Sequence, residues 1–212
     1  MRKVKFFFAF LLAAGMLNAS AQNSQEPIQT LLGDSPSLGG FIGFGGKMTT
    51  FNKQGGLMLG GELNMVLGRG MNLGFHGYGL VTETTSSNFD EFGKSLYYNI
   101  GYGGLTLEPV FFSEKAVHFT VPILLGGGGI GESRYPLVDG DNSDYEDFPG
   151  FYRTDFFFYA EPGLNVELNL VNYVRIYAGA SYRFVYDVDL PNLNDANMSG
   201  LGVNMGLRVG IF

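Results

Sequence analysis

Hydrophobic and polar residues alternate one by one along most of the chain beyond residue 37. The alternation is clearest near the end, where every odd position from 201 to 211 is apolar and the even positions hold Gly, Asn and Arg. A period of two puts the apolar side chains on one face of an extended strand, and a helix would not keep this phase over so many residues. Segments with this pattern predict eight strands, at 40–51, 56–67, 71–83, 96–112, 117–134, 156–170, 174–187 and 201–211.

Two kinds of irregularity interrupt the alternation. Within 96–112, the even positions are apolar up to Tyr102, whereas the odd positions are apolar from Leu105 onward. The pair Gly103–Gly104 stands at this slip, which predicts a β-bulge there. Pro122 and Pro162 each remove one hydrogen-bond donor from a strand, and we expect local bulges at both positions.

The connections between the predicted strands alternate in length. Short turns are expected at 68–70, 113–116 and 171–173, with a further short turn near Asn52-Lys53-Gln54. Long polar connections are expected at 84–95, 135–155 and 188–200. Outer-membrane barrels combine an even number of strands with short turns at one end and longer loops at the other. The chain therefore has the organisation of an up-and-down barrel.

The composition of the two strand faces indicates which one points outward. A soluble barrel such as a lipocalin has its apolar face inside, whereas a membrane barrel has it outside. In the eight segments the apolar face carries no charged residue, as expected where a charge would cost about 2–4 kcal/mol at the bilayer midplane. Aromatic residues gather near strand ends, as in Phe111–Phe112 and at Phe156, Phe158, Phe184 and Tyr186. We predict an all-β, eight-stranded antiparallel up-and-down transmembrane β-barrel, with a soluble barrel as the alternative.

The first residues have the layout of a secretory signal peptide. Three basic residues stand within the first five positions, an apolar run covers 6–17, and Ala19-Ser20-Ala21 follows. The run is shorter than the roughly 20 residues of a spanning helix, which argues against a membrane anchor. The predicted organisation is a signal peptide at 1–21, a flexible polar leader at 22–36 and a barrel at 37–212.

Composition narrows the function classes further. Only 16% of the 212 residues are charged, which is low for a soluble domain, and 33 are Gly, which is about twice the average share. The absence of Cys excludes disulfides, Cys-based metal sites and Cys nucleophiles. The net charge of -7 argues against nucleic-acid binding, which needs a basic surface. Cleavage of residues 1–21 would remove three of the 13 basic residues and no acidic one, which makes the net charge -10.

Several segments resemble a known family of membrane proteins. These segments are Glu161-Pro162-Gly163-Leu164-Asn165-Val166-Glu167-Leu168-Asn169, Ser181-Tyr182-Arg183-Phe184, Met198-Ser199-Gly200 and Gly210-Ile211-Phe212. In them the chain is similar to the small eight-stranded outer-membrane barrels of Gram-negative bacteria, and most of all to an uncharacterised Bacteroidetes-type outer-membrane β-barrel family. The resemblance implies a fold and an outer-membrane location, and little about activity. Phe212 resembles the terminal aromatic signal read by the barrel-assembly machinery, although it lies one residue out of phase with the lipid-facing positions.

Charged residues on the polar strand faces should point into the barrel. They are Lys47, Glu62, Glu108, Glu161, Glu167, Arg175, Arg183, Asp187 and Arg208. An eight-stranded barrel has an interior that side chains just fill, and buried charges must be paired. We expect Glu167 to approach Arg175 or Tyr177, Glu161 to approach Arg183, and Lys47 to approach Glu62. A polar interior of this kind predicts a closed lumen, with an ion or proton path, or paired carboxylates for catalysis, as the alternatives.

Two further features are candidates for chemistry. His118-Phe119-Thr120 resembles the His-x-Ser pair of lipid A deacylases but has Thr in place of Ser, and His76 is the only other histidine. Asp139-Gly140-Asp141-Asn142-Ser143-Asp144 resembles the start of a calcium loop but lacks its Gly at the sixth and its Glu at the twelfth position. The acidic segment is therefore a candidate weak cation-binding loop or a solvated loop. Its candidate ligands are Asp139, Asp141, Asp144, Glu146 and Asp147.

The main hypothesis is a non-enzymatic outer-membrane barrel that supports envelope integrity or surface contacts through its loops. An enzyme acting on lipid A or phospholipid, and a narrow channel for ions or small solutes, are the alternatives. The expected partners are outer-membrane lipid, lipopolysaccharide and the barrel-assembly machinery, with an unidentified extracellular ligand and no nucleic acid. No cofactor and no resident metal are expected.

Overall fold

The computed structural model describes residues 38–134 and 151–212. The predicted signal peptide and leader lie outside the described residues, and so do residues 135–150, which include all the candidate cation ligands. The strands are β1 (Leu38–Phe51), β2 (Gln54–Leu67), β3 (Met71–Leu80), β4 (Thr85–Phe89), β5 (Ser95–Phe111), β6 (Val117–Thr120), β7 (Ile123–Ser133), β8 (Arg153–Val171), β9 (Val174–Tyr186) and β10 (Gly200–Ile211). A single helical turn, α1 (Asp195–Met198), precedes β10. None of the helical residues in the described ranges forms a helix long and apolar enough to cross a membrane.

The strands close into a ring in which every pairing is antiparallel. β1 pairs with β2 on one side and with β10 on the other, and β3 pairs with β5, so within the described residues the ring of wall strands has no free edge. β6 and β7 both pair with β5 and β8 and together form one wall strand. β4 is a short extension that pairs with β5 above the ring. Over the described residues, the wall therefore consists of eight strands.

Over most of the wall, the apolar face of the strands points away from the barrel axis. Leu63 on β2 and Phe75 on β3 are 60% and 62% exposed, whereas Glu108 on β5 and Glu167 on β8 are fully buried. An apolar exterior around a charged interior is the arrangement of a membrane barrel and the inverse of a soluble one. The predicted choice of outward face is correct.

The predicted bulge at Gly103–Gly104 is wrong. β5 keeps one register with β3 and with β7 through these residues, and Tyr98, Ile100 and Tyr102 all point into the lumen. The apolar residues change phase because this half of the lumen is itself apolar. The alternation of β5 therefore continues, while the chemistry of the inner face changes along it.

The predicted bulges at the two prolines are also wrong. Pro162 pairs in register with Ile123, and the ladder keeps the same register on both sides of it. Pro122 separates β6 from β7, but the pairing with β5 resumes without a shift. The Pro122 carbonyl still accepts a bond from Gly163 N at 2.8 Å. Each proline therefore removes a donor without displacing the strand.

Glycines on the two faces differ in the space around them. A Cβ placed on the inward Gly126 would lie 2.1 Å from the Gly103 carbonyl oxygen, which no side chain tolerates. A Cβ on the outward Gly129 would meet no heavy atom closer than 3.9 Å. The narrow lumen therefore accounts for inward glycines such as Gly126, while Gly129 is free of such a constraint.

The tight turn between β1 and β2 explains why the first hairpin is short. Asn52 and Lys53 both have positive φ, at 47° and 65°, as a two-residue type I′ turn requires. Asn197 of α1 holds this turn, since its side-chain Nδ2 donates to Asn52 Oδ1 at 2.8 Å and its carbonyl accepts from Asn52 N at 2.9 Å. The end with the long loops thus closes partly over the lumen.

Candidate functional site

Arg208 on β10 is the centre of a group of charges near the short turns. Its Nε donates to Glu62 Oε1 at 2.7 Å, and its Nη1 donates to Glu108 Oε1 at 3.0 Å and also contacts Glu167. The three carboxylates come from β2, β5 and β8, so one guanidinium links four strands across the lumen. We call these four residues, together with Arg175 and His118, the short-turn cluster.

The remaining members of the short-turn cluster surround Glu167. His118 Nε2 lies 2.9 Å from Glu167 Oε2, and Arg175 Nη1 lies 3.6 Å from the same oxygen. Thr120 Oγ1 donates to Glu108 Oε1 at 2.6 Å, and Asn72 Nδ2 donates to Glu108 Oε2 at 3.0 Å. The buried carboxylates are thereby held by neutral donors as well as by cations, as burial of a charge requires.

A second group of charges lies closer to the long loops. Lys47 Nζ is 2.5 Å from Glu161 Oε1, and both side chains are 1% exposed. Ser181 Oγ donates to Glu161 Oε1 at 2.5 Å, and Tyr102 OH donates to Glu161 Oε2 at 3.1 Å. Arg183 completes the group, since its Nη1 lies 3.4 Å from Tyr102 OH. We call these five residues the mid-lumen cluster.

Arg183 also connects the mid-lumen cluster to the loop before β10. Its Nε and Nη2 donate to the Met198 carbonyl of α1 at 3.1 and 2.9 Å. Its guanidinium lies over the Phe51 ring at 4.3 Å from the centroid. The Met198 carbonyl and the Phe51 ring thus stabilise the buried Arg183 guanidinium, which has no direct carboxylate partner among the described residues.

An apolar layer fills the lumen beyond Arg183. Fully or almost fully buried side chains from six wall strands and α1 form it: Phe51, Met58, Leu80, Ile100, Ile130, Val185 and Met198. The lumen thus holds two charged clusters and one apolar layer in sequence from the short turns to the long loops.

Eight of the nine charges predicted to face the lumen do so within the described residues. In the two clusters, four cationic side chains stand against four carboxylates. Asp187 is the exception, because β9 ends at Tyr186 and the backbone of Asp187 turns into a left-handed conformation with φ 74°. The Asp187 side chain is exposed, so its predicted place in the network is wrong.

The predicted partners differ from the observed ones. Glu167 does lie near Arg175 and pairs in register with Tyr177, as expected from the hairpin. Lys47 lies opposite Met58 and contacts Glu161, whereas Glu62 contacts Arg208. The principal ion pairs cross the lumen between strands that are not neighbours, which pairing along one hairpin does not anticipate.

The two histidines are buried in the lumen. His76 bonds to Thr106 Oγ1 at 2.9 Å through Nδ1 and contacts Tyr159 OH through Nε2. His118 and Thr120 are fully buried and bonded to Glu167 and Glu108. A lipid outside the wall does not reach this pair, so the geometry does not support the deacylase alternative. In the described ranges, no group of three acidic or histidine side chains is arranged to hold a metal ion.

Glu132 is an interior charge that the sequence analysis missed. It is fully buried at the end of β7, where it accepts from Asn88 Nδ2 at 2.7 Å and contacts Ser86 Oγ. Arg153 Nη1 pairs with it at 3.2 Å. Glu132 keeps the inward phase of its strand, and this phase was the signal that could have identified it.

The candidate cation-binding loop and the terminal Phe212 are the two remaining predicted sites. The candidate cation ligands Asp139, Asp141, Asp144, Glu146 and Asp147 lie outside the described residues. The Phe212 ring lies at the short-turn end, 5.3 Å from the Phe41 ring and 3.8 Å from the Arg175 guanidinium. Its role as an assembly signal stays a prediction.

Comparison with solved structures identifies the fold. No protein-family model and no curated protein matches the chain. The structure is similar to Neisserial surface protein A (NspA), with a TM-score of 0.51 and 10% identity over 81% of this chain and 96% of that one. Ail, the attachment invasion locus protein of Yersinia pestis, gives TM-scores of 0.42 and 0.41 at 14% identity, over 82% and 84% of this chain and 97% and 100% of Ail. The predicted fold, an eight-stranded antiparallel outer-membrane β-barrel, is confirmed.

Proposed function

We propose that this protein is a non-conducting outer-membrane barrel that supports envelope integrity and presents its long loops as an ordered contact surface. It reaches the membrane after cleavage of the signal peptide before Gln22 and is of the uncharacterised Bacteroidetes type. The charged lumen serves as a structural plug. The long loops face outward from the cell, as in other outer-membrane barrels.

The filled lumen is the observation that carries this proposal. Lys47 and Glu161 are each 1% exposed, and Glu108, Glu167 and Met198 are fully buried. Ions would need a hydrated path through these layers, and opening one would separate buried ion pairs at a cost of several kcal/mol. This argument favours a closed barrel over the channel alternative.

Contacts among the long loops support a contact surface. Asn88 Nδ2 donates to the Pro191 carbonyl at 3.1 Å, and Asn192 Nδ2 donates to Asn88 Oδ1 at 2.9 Å, so the loops before β5 and β10 are joined. Phe89 and Phe92 remain 63% and 73% exposed next to this junction. Aromatic side chains on a rigid support bind at a low entropic cost.

Conductance in a planar bilayer tests the closed lumen. The purified wild-type protein, inserted from detergent, is expected to give no discrete current steps. The double variant Lys47→Ser/Glu161→Ser removes two large side chains from the mid-lumen cluster and serves as the comparison. Stepwise openings of the wild-type protein would contradict the proposal.

The contact surface is tested in cells that lack the protein and carry each variant in turn. Phe89→Ser/Phe92→Ser should lower attachment to serum-coated glass while resistance to detergent stays at the wild-type level. Tyr173→Ser is the matched control, since Tyr173 is 61% exposed at the opposite end of the barrel. Equal attachment by all strains at equal amounts of folded protein would refute the role of the loops.

A further inference from the structure

A half-enclosed cavity of about 470 Å³ opens at the short-turn end of the barrel. The turns between β2 and β3, between β5 and β6, and between β8 and β9 form its rim. Its polar lining consists of Arg69, Asn72, Ser113, Glu114, Asn169, Asn172 and Arg175. Arg175 belongs to the short-turn cluster, and the other members of that cluster are absent from the lining. The cavity therefore ends at the charged interior and does not cross it.

Arg175 is the cation on the floor of this cavity, and its hydrogen-bonding capacity is largely unused. The side chain is 11% exposed and stacks on the Phe212 ring, 3.8 Å from its centroid. Its neighbouring carboxylate is Glu167 at 3.6 Å, which is longer than a hydrogen bond. Glu167 is already bonded to Arg208 and His118. A buried guanidinium with five donors therefore lacks short acceptors within the described protein.

Amide groups line the same cavity as the guanidinium. The cavity is lined by three asparagines, and the Oδ1 atom of Asn169 is buried without a hydrogen-bond partner. Asn72 and Asn169 each use one amide N–H within the protein, on Glu108 Oε2 and on the Lys115 carbonyl. An asparagine amide has a second N–H and an acceptor oxygen, which match the two polar groups of a peptide bond. The cavity thus combines a planar cationic fork with amide partners.

We infer that this cavity binds the carboxylate end of a peptide, with Arg175 holding the carboxylate and the asparagines pairing with the adjacent amide. A single negative charge suits the site better than a phosphate dianion. The second cation, Arg69, is already paired with Glu114 at 3.0 Å on the rim, and Glu167 lies behind the floor. The guanidinium fork matches the two oxygens of a carboxylate.

Titration of the folded protein in detergent micelles tests this assignment. The probes are N-acetylglycine, which carries a carboxylate beside an amide, its neutral amide N-acetylglycinamide, and inorganic phosphate. Binding is followed by the NMR signals of the arginine Nε–H groups. The variants are Arg175→Gln and Arg175→Lys, and Lys53→Gln is the control because it removes one exposed positive charge at the opposite end.

Saturable binding of N-acetylglycine is expected with a Kd on the order of a millimolar, with no saturation by the neutral amide. Arg175→Gln should raise the Kd about tenfold, Arg175→Lys should raise it less, and Lys53→Gln should leave it unchanged. Binding of the neutral amide with equal affinity, tighter binding of phosphate, or an unchanged Kd in Arg175→Gln overturns the inference. If Arg175→Gln fails to fold, the three probes on the wild-type protein and the Arg175→Lys titration still decide the question.

Discussion

Asp90 organises the turn between β4 and β5 with one carboxylate. Its Oδ1 accepts from the backbone N–H groups of Phe92 at 2.9 Å and Lys94 at 2.8 Å, and its Oδ2 accepts from Arg134 Nε at 3.1 Å. Burial alone would raise the pKa of Asp90. The two backbone donors and the Arg134 guanidinium outweigh that effect and hold the pKa of this carboxyl below its ordinary value.

This lowered pKa predicts a turn that loosens in acid. The carboxylate stabilises the turn fully above the unfolded-state pKa of about 3.9, and the contribution is lost as the pH falls through the lower folded-state pKa. Asp90→Asn should lose most of this stabilising contribution at every pH, because the variant has no charged carboxylate. Hydrogen exchange of the Phe92 and Lys94 amides measures the effect, and identical protection in the variant and the wild type at neutral pH would contradict it.

Individual side chains were easier to place on a face than to pair. The alternation put Lys47, Glu161 and Arg183 on inward faces because a strand has a period of two. The alternation does not indicate which side chains form pairs. Lys47 lies on β1 and Glu161 on β8, and their contact depends on the stagger and closure of the whole ring. Glu161 and Arg183 share Tyr102 rather than bonding to each other.

At the level of single strands, the two classes of glycine predict opposite effects of adding a methyl group. Gly126→Ala should destabilise the barrel, because the new Cβ would collide with the carbonyl oxygen of Gly103. Gly129→Ala should be neutral or stabilising by up to about 1 kcal/mol, since the space is open and alanine lowers the entropy of the unfolded chain. Urea midpoints in lipid vesicles compare the two, and equal shifts would show that the lumen is less crowded than described.

Strand positions could be predicted well from the sequence, and strand irregularities could not. The alternation identifies an inner face only where that face is polar, and near the long loops the lumen contains Ile100, Ile130 and Phe157 instead. The change from a polar to an apolar interior therefore looks like a change of phase. β4 and α1 were missed because neither is longer than five residues and both depend on packing against the ring.

At the scale of the whole molecule, Arg208 should contribute far more to stability than a surface ion pair. Arg208→Gln leaves three buried carboxylates with less compensation, and loss of one partner from a buried pair costs about 3–5 kcal/mol. Arg69→Gln breaks the exposed pair with Glu114 and should cost about 0–1 kcal/mol. Urea unfolding of both variants in lipid vesicles measures the difference, and a small effect in Arg208→Gln would show that the cluster tolerates a net negative charge.

The closed ring itself could be predicted from the sequence because it follows from strand number and loop lengths. For the side chains inside the ring, the sequence predicted only that they are charged or polar, and not which of them pair. Which carboxylate meets which cation depends on contacts between β2, β5, β8 and β10, and no local pattern along the chain records these distances. The cavity at the short-turn end could not be predicted for the same reason, since three separate turns and Phe212 form it together.

The place of Arg208 on β10 also has a consequence for the order of assembly. β10 joins β1 from the Gly40–Ile211 pair to the Thr49–Gly202 pair, and this seam closes the ring. An open sheet that lacks β10 would display Glu62, Glu108 and Glu167 without the guanidinium that joins them. We expect such an intermediate to keep that face hydrated, because burying carboxylates without their cation costs several kcal/mol. Docking of β10 is then expected to close the seam, neutralise the carboxylates and dry the lumen near the short turns together.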